Sequence, residues 1–178
     1  MTPIYESIIN KKTNNKSIWL MRQAGRYLPE FRKIRKLNPD FINLCLNENL
    51  SSKITLQPLQ RFKLDAAIIF SDILMVPYAL NQEVKFKKNF GPQLGLLNLE
   101  KIFEVDKVDF LNKLYPVYKS IKKVKKNSLI KNKDVIGFIG APWTLLVYMI
   151  NRCSPKKKLI NTFFKDSFLI NKILIILE

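Results

Sequence analysis

Three short apolar runs, each ending in polar or glycine-containing sequence and separated by helix-patterned stretches, constrain this chain most. They occupy residues 18–21, 66–70 and 135–139. Each is compact and rich in residues suited to a buried strand. Polar or charged residues precede them: Lys16 and Ser17, Lys63 and Asp65, Lys133 and Asp134. The first run leads into Arg22-Gln23, the second into Ser71-Asp72, and the third into Gly140-Ala141-Pro142-Trp143.

Between the runs the spacing predicts helices over residues 28–37, 41–46, 50–62 (despite Pro58), 116–126, 145–150 and 168–177. In 116–126, Val117, Ile121 and Val124 share one face, and Pro116 suits a first helical turn. Strands alternating with helices suggest a parallel sheet, with chemistry at the strands' C-terminal ends. A doubly wound sheet would also bind ligands there. No Gly-x-Gly-x-x-Gly or phosphate-binding loop follows any run, which favours a (β/α)8 barrel. Such a barrel typically needs about 250 residues, so 178 residues would cover its first half, as one domain truncated at the C-terminus.

A hydrophobic content of 47% suffices for a sizeable core. The net charge of +17 raises a polyanion-binding reading. Only six of the 31 basic residues are arginine, however, and a nucleic-acid reader relies more on arginine's bidentate fork. The lysine excess therefore reads as compositional bias. Lys122, Lys123, Lys125 and Lys126 read as a solvated helix end, as do Lys156, Lys157 and Lys158. Absence of histidine excludes imidazole ligands and bases within the chain. Two cysteines, Cys45 and Cys153, make no disulfide scaffold. A polar N-terminus without an apolar leader core, and apolar runs too short to span a bilayer, point to the cytoplasm.

Three constellations carry chemistry. Arg22 and Arg26 lie four residues apart after the first run and suit an anionic ligand, with Gly25 permitting close backbone approach. A surface loop with two solvated arginines is the alternative. Asp72 ends the second run amid apolar sequence, where a carboxylate is costly unless paired; the alternative is a cap on the next turn. After the third run, small residues leave room for a bulky ligand, and Tyr148 comes one helical turn after Thr144. The alternative is that Trp143 and Tyr148 are core aromatics, the commoner fate of such residues.

Together these segments resemble the uroporphyrinogen decarboxylase family. The first signature is Ile18-Trp19-Leu20-Met21-Arg22-Gln23-Ala24-Gly25-Arg26-Tyr27-Leu28-Pro29. The second runs through Thr55-Leu56-Gln57-Pro58, Arg61-Phe62 and residues 65–74, with Gly91-Pro92 beyond them. The third runs from Gly137-Phe138 to Tyr148-Met149, and the similarity extends from about residue 3 to the end. The resemblance implies a (β/α)8 barrel, homodimeric when complete, that needs no metal or organic cofactor. It implies decarboxylation of the four acetate groups of uroporphyrinogen III, an octacarboxylate tetrapyrrole, to give coproporphyrinogen III. It assigns Arg22 and Arg26 to substrate carboxylates, with Gln23 beside them. Asp72 would accept hydrogen bonds from the pyrrole N–H groups in the middle of the cleft. Tyr148 would bond a substrate carboxylate or position Asp72, and Ile68 and Phe138 would line the cleft.

Decarboxylation needs an electron sink, and a pyrrole ring protonated at carbon supplies one. A carboxylate among the N–H groups stabilises that cation more than the neutral substrate, which lowers the barrier. Arg22 is the proton donor the resemblance offers; guanidinium is a very weak acid, so that role stays open. Three departures stand out. Asn151-Arg152-Cys153-Ser154-Pro155 replaces a glycine-rich stretch, and Asn81 replaces a glycine. The family's later serine and histidine belong to a second half, which a separate chain could supply. An inactive remnant is the alternative reading, and a basic nucleic-acid module a more distant one. Methyltransferases share the barrel, but the Arg22–Arg26 motif argues for the decarboxylase.

Overall fold

A computed structural model describes residues 1–10, 16–87, 89–154 and 166–178. In chain order the elements are α1 (Pro3–Ile9), α2 (Pro29–Leu37), α3 (Phe41–Leu46), α4 (Glu48–Arg61) and β1 (Ala66–Ile68). Then come α5 (Met75–Ala79), β2 (Val84–Lys87), β3 (Gly91–Leu94), α6 (Leu99–Phe103) and α7 (Lys107–Lys125). A 3-10 turn (Ser128–Ile130), β4 (Asp134–Ile136), α8 (Pro142–Asn151) and α9 (Ser167–Leu177) complete the order. The chain divides into two compact units. The first is Met1–Pro39, Asn43–Ser71 and Tyr115–Phe138; the second is Asp40–Ile42, Asp72–Leu114 and Ile139–Glu178.

In the first unit β1 and β4 pair in parallel, with Ala66 opposite Asp134, Ala67 opposite Val135 and Ile68 opposite Ile136. Parallel neighbours need a crossover, and the intervening chain supplies it. One face of the pair is covered by a cluster of Leu56, Leu59, Leu64, Ala67, Ile69, Val124 and Ile130, with Ile121, Leu129 and Val135 packed against it. Each Leu or Ile fully buried there contributes about 1.5–3 kcal/mol, so the cluster together outweighs a short ladder whose hydrogen bonds each add about 0.5–1.5 kcal/mol. A second cluster joins Leu28, Phe31, Leu44 and Ile54, flanked by Ala24, Ile34, Leu50 and Phe70. Helix α4 starts where Asn47 Oδ1 accepts the N–H groups of Asn49 and Leu50 at 3.1 and 3.0 Å. Arg61 grips Glu30 with two hydrogen bonds of 2.6 and 2.9 Å, linking α4 to α2. That pair holds the Glu30 carboxyl below its ordinary value.

In the second unit β2 and β3 form an antiparallel hairpin, Val84 opposite Leu94 and Lys87 opposite Gly91. Gln82 is buried, and its Nε2 donates to the carbonyls of Gly95 (3.1 Å) and Met149 (3.0 Å). That tie secures the hairpin to α8, as does the bond from Leu94 N–H to the Arg152 carbonyl at 2.8 Å. Leu145, Leu146 and Met149 of α8 and Ile173 of α9 are fully enclosed. Among the described residues no helix is long and apolar enough to cross a membrane.

Several expectations change. Residues 18–21 form no strand; Ile18, Trp19, Leu20 and Met21 are exposed. The Ile18 carbonyl accepts the Asp65 N–H, but Leu20 N–H turns to the Gln23 side chain, so no ladder develops. The second and third runs hold strands of three residues, shorter than expected. Pro116 sits in the middle of α7, which begins at Lys107. Among the described residues there are two two-stranded sheets and no closed barrel. Lys156, Lys157 and Lys158 lie outside the described residues.

Candidate functional site

The arginine segment is a tightly anchored turn. Gln23 is almost fully buried; its Oε1 accepts Leu20 N–H at 3.0 Å and its Nε2 donates to the Ala66 carbonyl at 3.0 Å. One side chain thus joins residue 20 to the first residue of β1. Tyr27 donates its hydroxyl hydrogen to the Gln23 carbonyl. Leu28 N–H closes the turn on the Gly25 carbonyl at 3.0 Å. Ala24 and Leu28 reach into the apolar cluster below. Arg22 and Arg26, by contrast, are exposed, and among the described residues neither guanidinium makes a hydrogen bond or ion pair. The chain has two cations held at fixed backbone positions with their forks left open.

Gly25 adds to this. A Cβ placed there would meet only the Tyr27 ring at 3.7 Å, an ordinary contact. Nothing in the protein's own packing requires glycine at that position. The same holds for Gly137, where a Cβ would meet nothing within 4 Å.

In β1 successive side chains alternate between faces. Ala67 and Ile69 enter the cluster under α4, so Ile68 belongs to the opposite face, across from Ile136. Phe138, two residues past β4, is 48% exposed. Gln23, Ile68 and Phe138 are therefore gathered around the paired strands of the first unit, with Arg22 and Arg26 on the turn that Gln23 fastens to β1.

Asp72 and Tyr148 belong to the second unit. Asp72 Oδ1 accepts the Leu74 N–H at 2.9 Å, and the Asp72 carbonyl accepts Met75 N–H at 3.2 Å. The capping alternative is thus realised in part. The carboxyl is nonetheless half-buried, and burial pushes it above the ordinary aspartate value against the smaller opposing pull of the Leu74 N–H. Tyr148 is half-buried on α8, its hydroxyl 3.4 Å from the Ser154 hydroxyl. Trp143, on the first turn of α8, is 51% exposed and so is no core residue of its unit.

Both glycine departures have structural counterparts. Asn81 adopts φ +66°, the left-handed region where glycine is the usual occupant and asparagine the best substitute. Its side chain accepts a hydrogen bond from Lys113. Arg152 takes φ +59° just past α8, and its Nε donates to the Leu94 carbonyl at 3.2 Å. A shallow hollow of about 320 Å³ is lined by Tyr78, Asn81, Gln82, Glu83, Val84 and Lys113, none of them an expected substrate ligand. Among the described residues no group of three or more Cys, Asp or Glu could hold a metal ion.

The motifs passed over Ser51, Thr55 and Ser120 as site residues. All three are buried hydroxyls bonded around Phe70. The four-residue spacing of Ser51 and Thr55 on one helix face was the available signal.

The family model described as uroporphyrinogen decarboxylase (URO-D) matches residues 2–177. The chain is 50% identical over 133 residues to a uroporphyrinogen decarboxylase of Rickettsia canadensis (strain McKiel), covering 75% of this chain and 39% of that protein. It is 46% identical over 145 residues to one of Agrobacterium fabrum, covering 81% and 42%. A third, from Rickettsia felis, is 47% identical over 148 residues, covering 82% and 42%. The chain thus spans about two fifths of the length of the curated relatives it matches. The chain belongs to the uroporphyrinogen decarboxylase family.

Proposed function

We propose that this chain contributes the N-terminal portion of a (β/α)8 uroporphyrinogen decarboxylase. In the complete enzyme it would take part in removing the four acetate carboxyls of uroporphyrinogen III to give coproporphyrinogen III. The observation that carries the reading is the anchored turn with two open guanidinium forks. An octacarboxylate substrate needs cations that are fixed before it arrives, and arginine binds carboxylate bidentately. Gly25 and Gly137, neither demanded by packing, keep the backbone bare where a large flat ligand would lie.

The chemistry rests on charge. Protonation of a pyrrole carbon makes the ring cationic. The electrons of the bond to the departing carboxylate then flow into the ring as carbon dioxide leaves; a second proton converts the exocyclic methylene to methyl, and the ring carbon gives up the first proton to restore the pyrrole, so one proton is consumed for each carboxylate lost. Asp72 would accept the pyrrole N–H groups. A half-buried carboxylate is costly as an isolated charge, so a cationic ring beside it relieves that cost at the transition state. Removing one such interaction lowers turnover by roughly 10²–10³-fold. Gln23 serves by fastening the arginine turn, and Ile68 and Phe138 by offering apolar surface to the macrocycle. Tyr148 would bond a substrate carboxylate or orient Asp72.

The proposal includes a partner. The exposed residues 18–21, together with Phe138 and Ile139, support a second segment, equivalent to the remaining portion of the relatives, that completes the sheet. The completed enzyme would work as a cytoplasmic homodimer without a metal or organic cofactor. The test is to co-purify this chain with the remaining portion of the Rickettsia canadensis protein and assay coproporphyrinogen III. Turnover that requires both pieces is expected. A stable, stoichiometric complex without turnover would overturn the reading.

A further inference from the structure

Immediately ahead of Asp72, the backbone is held by side chains rather than by a strand partner. The β1–β4 ladder ends where Ile69 N–H meets the Ile136 carbonyl at 3.0 Å. Phe70 comes next, and both of its backbone groups are taken by hydroxyls of α4. Its N–H donates to Thr55 Oγ1 at 2.8 Å, and its carbonyl accepts from Ser51 Oγ at 2.8 Å. Proton directions are fixed by elimination, since each hydroxyl has a single hydrogen. Thr55 spends its own on the Ser51 carbonyl at 2.9 Å. Ser51 spends its own on Phe70, so Ser120 of α7 must donate to Ser51 across their 2.9 Å contact. Ser51 and Ser120 are 0% exposed and Thr55 is 1% exposed, so water does not compete.

We infer that Ser51, Thr55 and Ser120 form a hydroxyl clamp on Phe70 whose purpose is to position the Asp72 carboxylate, making all three positioning residues for the proposed reaction. The inference rests on the reading of Asp72 as the carboxylate that meets the substrate. A simple core would not need this arrangement. Three buried hydroxyls in apolar surroundings are a liability unless every one is satisfied, and here Ser120 meets Ser51, Thr55 meets the Ser51 carbonyl, and Ser51 and Thr55 take the two backbone groups of Phe70. Phe70 lies two residues before Asp72 and two residues past the end of β1. Among the described residues the Asp72 carboxylate has one hydrogen-bond partner, the Leu74 N–H on its own turn, so that bond alone does not fix how the turn approaches a ligand.

The clamp can be tested on the full chain without substrate, so its failure and that of the proposed function are separable. The Asp72 carboxyl is followed by carbon-13 NMR through a pH titration in the parent, Thr55→Val, Thr55→Ser and Ser51→Ala. The parent midpoint is expected above the ordinary aspartate value, because burial raises it and the described residues bring no charged group to it. Thr55→Val and Ser51→Ala should bring the midpoint back toward the ordinary value, while Thr55→Ser, which keeps the hydroxyl, should retain it. A folded Thr55→Val chain with an unmoved midpoint would reduce the clamp to local packing and overturn the inference. The parent offers a check that needs no substitution: Phe70 N–H should exchange with solvent at least about tenfold more slowly than an unbonded loop amide. Exchange at the loop rate would also overturn it.

Discussion

Replacing Gly140 with alanine should destabilise the second unit by an amount the geometry allows to be worked out. A Cβ there would sit 2.5 Å from Leu145 Cδ2, 2.8 Å from Leu145 Cγ and 3.2 Å from Ile73 Cβ. Carbon atoms prefer about 3.5–4.0 Å, so the overlap with Leu145 is roughly 1 Å. Leu145 is 0% exposed and has nowhere to swing. Overpacking of this kind costs about 1–3 kcal/mol. Losing glycine's freedom in the unfolded chain returns about 0.4–1 kcal/mol, because the left-handed region is not needed at Gly140. The net loss should be about 1–2 kcal/mol, a fall in melting temperature of about 2–8 °C for a chain of this size. Urea and thermal unfolding read it directly. Gly137→Ala, where the added methyl meets nothing within 4 Å and no left-handed φ is needed, is the control and should gain about 0.4–1 kcal/mol. Leu145→Val removes the clashing Cδ2, so Gly140→Ala should cost about 1 kcal/mol less in that background. A Gly140→Ala chain as stable as the parent, or an equal cost in both backgrounds, would refute the packing argument.

Three further outcomes are expected. Asp72 has a folded-state carboxyl raised by burial, so the native state holds its proton more tightly than the unfolded chain. Its contribution is therefore fully present below the ordinary value of about 3.9 and is lost as pH rises through the raised value. Asp72→Asn should gain stability relative to the parent across that window and stay level above it; a pH series of urea midpoints with no such divergence would contradict the burial argument. Gln57 is 2% exposed, and neither atom of its amide has a partner among the described residues. Gln57→Met should therefore raise stability by about 1–3 kcal/mol, and a loss seen by calorimetry would mean the amide is bonded after all. Asn81, at φ +66° with its side chain bonded to Lys113, should tolerate glycine but not alanine. Asn81→Ala should cost about 1–2 kcal/mol, and equal melting temperatures for the two variants would remove the left-handed argument.

Where burial and period agree, the sequence was easy to read. Residues 41–46 form α3 with the expected bounds, and 168–177 differs from α9 by one residue. Residues 18–21 misled because apolar character stood in for pairing: they are exposed, and the Gln23 amide takes the bond that a strand would have made. Proline at 116 suggested a helix start, but the missing N–H is tolerated within a 19-residue helix that has turns on both sides. The hairpin went unread although Val84-Lys85-Phe86-Lys87 alternates and Asn89 and Gly91 punctuate the turn; both take positive φ. Of the proposed site, Arg22, Arg26 and Asp72 stand out in the sequence because arginine is scarce in a lysine-rich chain and a carboxylate ends an apolar run; Gln23 stands out only through its motif. The burial of Gln23 was not legible, since a polar residue between exposed arginines gives no sign that its amide bridges to β1. The hydroxyls at 51 and 55 left only their four-residue spacing as a trace and Ser120 left none, because serine and threonine in helices are common and only the fold brings Ser51 and Thr55 to the backbone of Phe70 and Ser120 to Ser51.

In the proposed function Arg22 and Arg26 read carboxylates through their forks and not merely through positive charge. Substituting both with lysine keeps the net charge at +17 and removes only the planar, bidentate donors. The direct measurement is kcat/KM for uroporphyrinogen III by the reconstituted enzyme, parent against Arg22→Lys/Arg26→Lys, at one fixed ionic strength. A fall of roughly tenfold or more per arginine is expected, from the loss of charge-assisted pairs. A double variant that turns over substrate as efficiently as the parent would contradict it.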